Sequence, residues 1–218
     1  MPSMKWKLII FDCDGVLVDS EVIASRILAE QVFKLGYPMS PSEAIHRFAG
    51  IQMAKAIEIV EEKLGQPVPA DFESTFRDAS FKAFKKELQP VRGVDKVLDK
   101  LNGDVCVASN GPRNKIELNL NLTGLAEYFG DNIFSAYELK VWKPDPEFYL
   151  RVAKTMQVQP GECVVIEDTH FGAAAAFHAG IRVLGYAAGL ERKREELAPF
   201  AHQTFDNMSD LFSILDIE

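Results

Sequence analysis

Two hydrophobic patterns divide the chain, and they predict different secondary structure. Residues 8–11 form an uninterrupted apolar run, which is typical of a short strand buried on both faces of a parallel sheet. From Ser20 onward the apolar residues recur at helical spacing, and Gly36 and Gly65 fall where helices stop. This part of the chain therefore predicts helices and no strand. The predicted helices are about 21–35, 41–50, 52–64 and 70–88.

Beyond Pro90 the pattern changes to alternating strands and helices. The predicted strands are 105–108, 133–135, 163–166 and 181–184, and the predicted helices are 93–101, 112–122, 145–156 and 172–179. Repeated strand–helix units imply a parallel sheet with right-handed crossovers. The predicted fold class is thus α/β, with a Rossmann-like parallel-sheet core formed by residues 1–19 and 90–218. An all-helical domain, residues 20–89, is inserted into that core.

Polar side chains cluster wherever a predicted strand ends, and one more precedes a predicted helix. They are, in chain order, Asp12, Asp14, Ser109, Asn110, Lys143, Glu167 and Asp168. Because the carboxyl ends of parallel strands open into one crevice, we expect these side chains to lie together.

The pair Asp12 and Asp14 suggests chemistry at this crevice. A carboxylate at a strand end can attack a phosphorus atom, hold a divalent cation, or do both. The alternative is that both residues only make hydrogen bonds in a turn, where Asp and Gly are common. A calcium loop starting at Asp12 is excluded, because Leu17 and Ile23 occupy the positions that require Gly and Glu.

Charge and cysteine content limit the classes of binding partner and the cellular compartment that the sequence predicts. The net charge is −8 with no long basic run, which disfavours nucleic acid and anionic membrane surfaces as partners. The start of the chain does not resemble a secretion signal, and no apolar run has membrane-spanning length. The odd set Cys13, Cys106 and Cys163 predicts reduced thiols and therefore a cytoplasmic location.

Four stretches resemble the motifs of the haloacid dehalogenase-like hydrolases. They are Asp12–Ser20, Ser109–Gly111, Lys143–Pro146 and Ile166–Thr169, in the order in which that family has its motifs. The helical insertion after the first motif resembles the cap domain of the family's phosphoglucomutase-like branch. The resemblance covers nearly the whole chain, and its first and fourth motifs are highly specific.

The resemblance implies a role for each motif residue. Asp12 would attack phosphorus and form an aspartyl-phosphate, while Asp14 would protonate the leaving oxygen and later take a proton from water. Lys143 would neutralise Asp12 and the phosphoryl oxygens. Ser109 would hold a phosphoryl oxygen, with Asn110 and Gly111 as further substrate-binding residues.

A metal is implied by charge as well as by resemblance. A phosphoryl dianion beside three carboxylates is untenable without cations, and Mg²⁺ suits an all-oxygen site. By the resemblance, Asp12, the main-chain carbonyl of Asp14 and Asp168 are direct ligands. Glu167 is either a ligand or a partner of one.

Arg47, Gln52 and Lys55 flank the turn at Gly50 in the cap and are candidate substrate-binding residues. The alternative for Arg47 and Lys55 is a solvated surface position.

The predicted function is a Mg²⁺-dependent phosphatase that hydrolyses a phosphorylated sugar or sugar acid through an aspartyl-phosphate. Its partner would be a small phosphorylated metabolite, and the chain would be a monomer or at most a weak homo-oligomer. The first alternative is a sugar-phosphate mutase of the same branch. That alternative is disfavoured because Ala24 stands where mutases have a cap histidine, and Met53 where an arginine is expected.

Three other classes fit less well. A phosphorylation-receiver signalling domain has its acceptor Asp later in the chain and carries no helical insertion. A binding module without catalysis would be expected to lack a motif residue, and none is missing. Dehalogenases lack the second Asp, so Asp14 disfavours them.

Overall fold

The computed structural model describes residues 6–48 and 53–217 and divides the chain into two compact units. One unit comprises the residues up to Val18 together with those from Pro90 onward, and the other is Asp19–Gln89. Within the described residues, no helix is long and apolar enough to cross a membrane.

The larger unit is built on one parallel sheet. Its strands are β1 (Leu8–Phe11), β2 (Asp104–Ser109), β3 (Ile133–Ser135), β4 (Cys163–Glu167), β5 (Arg182–Tyr186) and β6 (Gln203–Phe205). The strand order is β3-β2-β1-β4-β5-β6, and every pairing is parallel. The predicted α/β fold class is therefore confirmed. Phe11 at the end of β1 pairs with Val107 on one side and Ile166 on the other, so the following residue emerges between two strand ends.

Helices connect the strands of this unit. They are α5 (Val94–Leu98), α6 (Arg113–Leu122), α7 (Ala126–Phe129), α8 (Ala136–Leu139), α9 (Glu147–Thr155), α10 (His170–His178), α11 (Glu191–Leu197) and α12 (Asp210–Ile214). The whole of β1 and β4 is buried, as expected for central strands covered on both faces. The run of small residues Ala173–Ala176 is also buried, and all of them but Ala174 belong to the same hydrophobic cluster as the sheet.

The unit Asp19–Gln89 contains α1 (Glu21–Lys34), α2 (Pro41–Phe48), α3 (Met53–Leu64) and α4 (Phe72–Glu87). No strand occurs among its described residues, as the helical spacing predicts. It has a hydrophobic cluster of its own, because each amphipathic helix buries its apolar side against the others. The buried members of that cluster are Leu28, Val32, Val60 and Phe72.

Candidate active site

Asp12 lies at the centre of the carboxyl edge of the sheet. Its backbone N–H donates to the carbonyl of Ile166 at 3.0 Å, which extends the pairing of β1 with β4 by one residue. The side chain is buried, and burial raises the pKa of Asp12 to about 7, although the neighbouring Lys143 acts in the opposite direction. A negative charge on the buried Asp12 therefore costs free energy unless nearby cations compensate it.

Lys143 provides such a cation by bridging two carboxylates. Its Nζ lies 2.6 Å from Asp12 Oδ1 and 2.6 Å from Glu167 Oε1, and all three side chains are buried. Burial lowers the pKa of Lys143, but the charges of Asp12 and Glu167 outweigh this and raise it above its ordinary value. The ammonium group therefore stays charged.

The side chain of Asn110 fixes the backbone that presents Lys143. Its Oδ1 accepts from the Lys143 N–H at 3.0 Å, and its Nδ2 donates to the Lys143 carbonyl at 3.4 Å. Asn110 follows β2, so the two predicted motifs are joined by a pair of side-chain-to-backbone hydrogen bonds. The predicted contact of Asn110 with substrate stays a prediction.

Both oxygens of Glu167 accept hydrogen bonds. Oε1 accepts from Lys143 and, at 3.4 Å, from the Tyr149 hydroxyl. Oε2 accepts from the N–H of Asp168, the N–H of Thr169 and the Thr169 hydroxyl, each at 2.9 Å. The Thr169 hydroxyl also caps α10 by accepting from the Gly172 N–H at 3.2 Å.

Gly172 leaves the space that the Glu167 carboxylate occupies. A Cβ at this position would overlap Oε1 and Oε2 of Glu167, so any larger residue would displace the carboxylate or the first turn of α10. The glycine is therefore required by close packing and not by backbone conformation.

Three buried carboxylates form a cluster suited to a cation. One oxygen each from Asp12, Glu167 and Asp168 lie within 4.8 Å of one another. Gly15 adjoins this cluster with a φ of +82°, and a Cβ there would overlap Asp168 Oδ2. The turn after β1 thus needs glycine both for its backbone conformation and for the approach of Asp168.

Asp14 is held by residues of α6. Its Oδ2 lies 2.7 Å from Lys115 Nζ, and its Oδ1 accepts from Asn119 Nδ2 at 3.4 Å. Burial lowers the pKa of Lys115, and the charge of Asp14 more than offsets that effect and raises it. The side chain of Asp14 is about one-quarter exposed, at 24%, so this carboxylate is more open to solvent than Asp12.

Ser109 and Gly111 lie beside Asp14. Ser109 Oγ accepts from the Gly111 N–H at 3.0 Å, and the carbonyl of Gly111 accepts from the Ser135 hydroxyl at 2.7 Å. A Cβ on Gly111 would lie 3.3 Å from Ser109 Oγ and 3.9 Å from Asp14 Oδ2. The motif after β2 therefore borders the same site as the motif after β1.

Two of the three predicted cap residues lie among the described residues, and both are exposed. Arg47 is exposed near the end of α2, and Lys55 is exposed on α3, where it pairs with Glu58 at 2.6 Å. Gln52 lies outside the described residues. The predicted role of Arg47, Gln52 and Lys55 in binding substrate stays a prediction.

Two lysines of the site were not predicted from the sequence. Lys115 reaches Asp14, and Lys193 of α11 has its Nζ 2.5 Å from Asp168 Oδ2. Both lie on polar helical stretches in which a solvated lysine is the ordinary expectation. Tyr149, which donates to Glu167, was also missed, and Thr169 was identified only as part of the fourth motif, without its hydrogen bond to Glu167.

The structure places the motif residues at one edge of a parallel sheet: two aspartates, a lysine and an acidic pair. These are the residues that carry the resemblance described in the sequence analysis. The sequence profile of the haloacid dehalogenase-like hydrolases matches residues 6–180, which include every motif residue described above. The chain belongs to the haloacid dehalogenase-like hydrolase family.

Individual relatives indicate the enzyme class within this family. The chain is 33% identical to the 6-phosphogluconate phosphatase of Escherichia coli (strain K12) over 207 residues, covering 93% of this chain and 91% of that protein. It is 29% identical over 188 residues to the phosphorylated carbohydrates phosphatase of Thermotoga maritima, covering 84% and 86%. The predicted enzyme class, a phosphatase-type hydrolase, is confirmed by this family and these relatives.

A solved structure agrees over nearly the whole chain. The crystal structure of a conserved haloacid dehalogenase-like protein of unknown function from Agrobacterium tumefaciens matches with a TM-score of 0.85 and 32% identity. The match covers 97% of this chain and 98% of that one.

Proposed function

We propose that the chain is a Mg²⁺-dependent phosphatase of a phosphorylated sugar or sugar acid, with 6-phosphogluconate as the first substrate to test. The observation that carries this proposal is the buried Lys143 bridge from Asp12 to Glu167, with Asp14 nearby at the same sheet edge. The substrate class is supported by the names of the relatives from Escherichia coli and Thermotoga maritima.

Asp12 is the proposed nucleophile. Its carboxylate oxygen forms a bond to phosphorus as the bond from phosphorus to the substrate oxygen breaks, which gives an aspartyl-phosphate and an alcohol. Lys143, 2.6 Å from Asp12, offsets the charge that builds up on the phosphoryl oxygens. Ser109, at the end of β2, is proposed to donate a hydrogen bond to one of those oxygens.

Asp14 is the proposed acid and base. It gives its proton to the leaving oxygen, and the resulting carboxylate then takes a proton from the water that displaces Asp12 from phosphorus. Lys115, 2.7 Å away, stabilises the carboxylate form that the second step needs. An arriving phosphate group adds negative charge, which favours the protonated form that the first step needs.

The residues present fit a divalent cation. Hard oxygen donors from Asp12 and Asp168 lie within 4.8 Å in a buried cluster, which suits Mg²⁺ better than a soft metal. We propose that these two carboxylates and the Asp14 main-chain carbonyl hold the ion, which would neutralise charge on the phosphoryl group. Because both Glu167 oxygens already accept hydrogen bonds, we propose that Glu167 orients Lys143 and the loop before α10.

Phosphate release should depend on the metal. Removing divalent ions with EDTA should abolish activity, and Mg²⁺ should restore it. Ca²⁺ should inhibit, because its larger and looser coordination would move Asp12 out of line with phosphorus. Activity is measured as inorganic phosphate released, and full activity in EDTA would contradict the assignment.

Product analysis separates a phosphatase from a mutase. We expect 6-phosphogluconate and β-glucose 1-phosphate to yield inorganic phosphate as the only new phosphorus species in NMR spectra, with faster release from the sugar acid. The physical reason is that Asp14 is placed to activate water soon after the first product leaves. Ala24 and Met53 lack the polar groups found in the mutase branch. Accumulation of glucose 6-phosphate would overturn the assignment.

We propose a cytoplasmic location. The three cysteines are all buried and free, which is the state expected in a reducing compartment. The predicted monomer stays a prediction, which a sedimentation experiment can test.

A further inference from the structure

Lys193 forms an ion pair for which the proposed reaction gives no role. Its Nζ lies 2.5 Å from Asp168 Oδ2, the Asp168 side chain is fully buried, and that of Lys193 is only 13% exposed. Lys193 belongs to α11, which follows β5, so it reaches the site from an element outside the four motifs. A buried contact of this kind restricts a long side chain and is not an ordinary surface pair.

The charges of the site show where Lys193 acts. Among the described residues, four carboxylates at the sheet edge form ion pairs with three lysines: Lys143 pairs with Asp12 and Glu167, Lys115 with Asp14, and Lys193 with Asp168. The first two lysines serve the proposed nucleophile and the proposed acid. The partner of Lys193 is a proposed metal ligand. We therefore expect Lys193 to affect the binding of the divalent ion.

We propose that Lys193 is a built-in counter-ion of the metal site. Its ammonium group neutralises Asp168 in the metal-free protein and competes with a divalent ion for that carboxylate. Lys193 therefore weakens metal binding, and it reduces the repulsion among the buried carboxylates when no metal is bound. The inference rests on the proposed function only in taking the Asp12 and Asp168 carboxylates as ligands of the metal.

The position of Asp168 does not depend on Lys193 alone. We therefore expect removal of the Lys193 charge to raise the affinity for metal. The Asp168 N–H donates to Glu167 Oε2 at 2.9 Å, and the Asp168 carboxylate packs where Gly15 has no Cβ. Because the backbone and this close packing hold Asp168, removing the ammonium group changes the local charge more than the ligand position. Loss of a nearby positive charge strengthens the binding of a cation.

Metal binding without substrate tests the proposal. Lys193→Met should bind Mn²⁺, measured as free Mn²⁺ by electron paramagnetic resonance, with a Kd on the order of tenfold lower than wild type. Lys193→Arg keeps the charge and should stay near wild type. Arg192→Met is the matched control, because it removes an exposed cation from the same helix, one that pairs with the exposed Glu196 at 3.6 Å.

Thermal unfolding gives a second readout. Metal-free Lys193→Met should unfold at a lower temperature than wild type, and Mn²⁺ should raise its Tm by more. If the methionine variant does not fold without metal, Lys193→Gln, which removes the charge and keeps a donor, is measured instead with the same expectation.

Unchanged or weaker Mn²⁺ binding in both neutral variants would overturn the proposal, and weaker binding would mean that Lys193 positions Asp168. The test is independent of turnover. If the expected Mn²⁺ pattern is found but no phosphate is released from any sugar phosphate, the proposed function fails and the role of Lys193 stands.

Discussion

Asp12→Asn is expected to abolish phosphate release while the chain still folds. Asparagine matches the carboxylate in shape, but its amide does not form an acyl-phosphate, so the covalent route is closed. The rate should fall below roughly a hundredth of wild type, the level that general acid–base assistance alone could support. Release of inorganic phosphate under saturating Mg²⁺ measures the effect.

Folding of this variant should be retained for an electrostatic reason. Burial raises the pKa of Asp12 to about 7, so the folded protein disfavours the charge that the substitution removes, and Lys143 keeps Glu167 as its partner. Asp131→Asn, at an exposed position, is the matched control and should leave turnover unchanged. A rate above the stated level in a correctly folded Asp12→Asn protein would show that the covalent route is wrong.

Lys143→Met is expected to have the second-largest effect, on both activity and stability. It would leave Asp12 and Glu167 as buried carboxylates without their shared cation, and breaking such a pair costs about 3–5 kcal/mol. Turnover should fall by roughly 10²–10³, because the charge facing the phosphoryl group is lost. Denaturant unfolding and phosphate release measure the two effects.

Two further variants sharpen this test. Lys143→Arg should not rescue activity, because a planar guanidinium does not replace a single Nζ placed 2.6 Å from two carboxylate oxygens. Lys154→Met, at an exposed position on α9, should behave as wild type. If the free energy of unfolding of Lys143→Met lies within about 1 kcal/mol of the wild-type value, Lys143 does not compensate the charges of Asp12 and Glu167 as proposed.

The sheet core and the motif residues could be predicted because their signals are local. β1 and residues 163–166 of β4 are continuous apolar runs, and each run is followed at once by the carboxylates that it positions. Parallel pairing then places those strand ends at one edge, so no knowledge of distant contacts is needed to predict that Asp12 and Glu167 meet.

Lys115 and Lys193 could not be found in this way because their signals are not local. Lys115 meets Asp14 only because α6 follows the strand that neighbours β1, and Lys193 meets Asp168 only because α11 lies beyond β5. In the sequence, each is a lysine in a polar helix, and such a residue is usually solvated. The pairings depend on tertiary structure.

The shortest elements were missed for a different reason. β6 is the three-residue segment Gln203–Phe205, which shows no alternating or continuous apolar pattern and exists because it pairs with β5. The helices α7 and α8 are four residues each, too short for a helical period to show. Their formation depends on packing and not on intrinsic propensity.

The central position of β1 has a consequence for how the chain folds. Leu8 pairs with Asp104 on one side and with Cys163 on the other, so β1 is synthesised long before either strand with which it pairs. Pairing of such widely separated segments makes folding slow, because the intervening loops must close first. The unit Asp19–Gln89 is complete before either partner of β1 has been synthesised, and we expect it to acquire structure first. A nascent chain arrested before β4 should therefore expose the apolar segment Leu8–Phe11 to chaperones and lack any functional site.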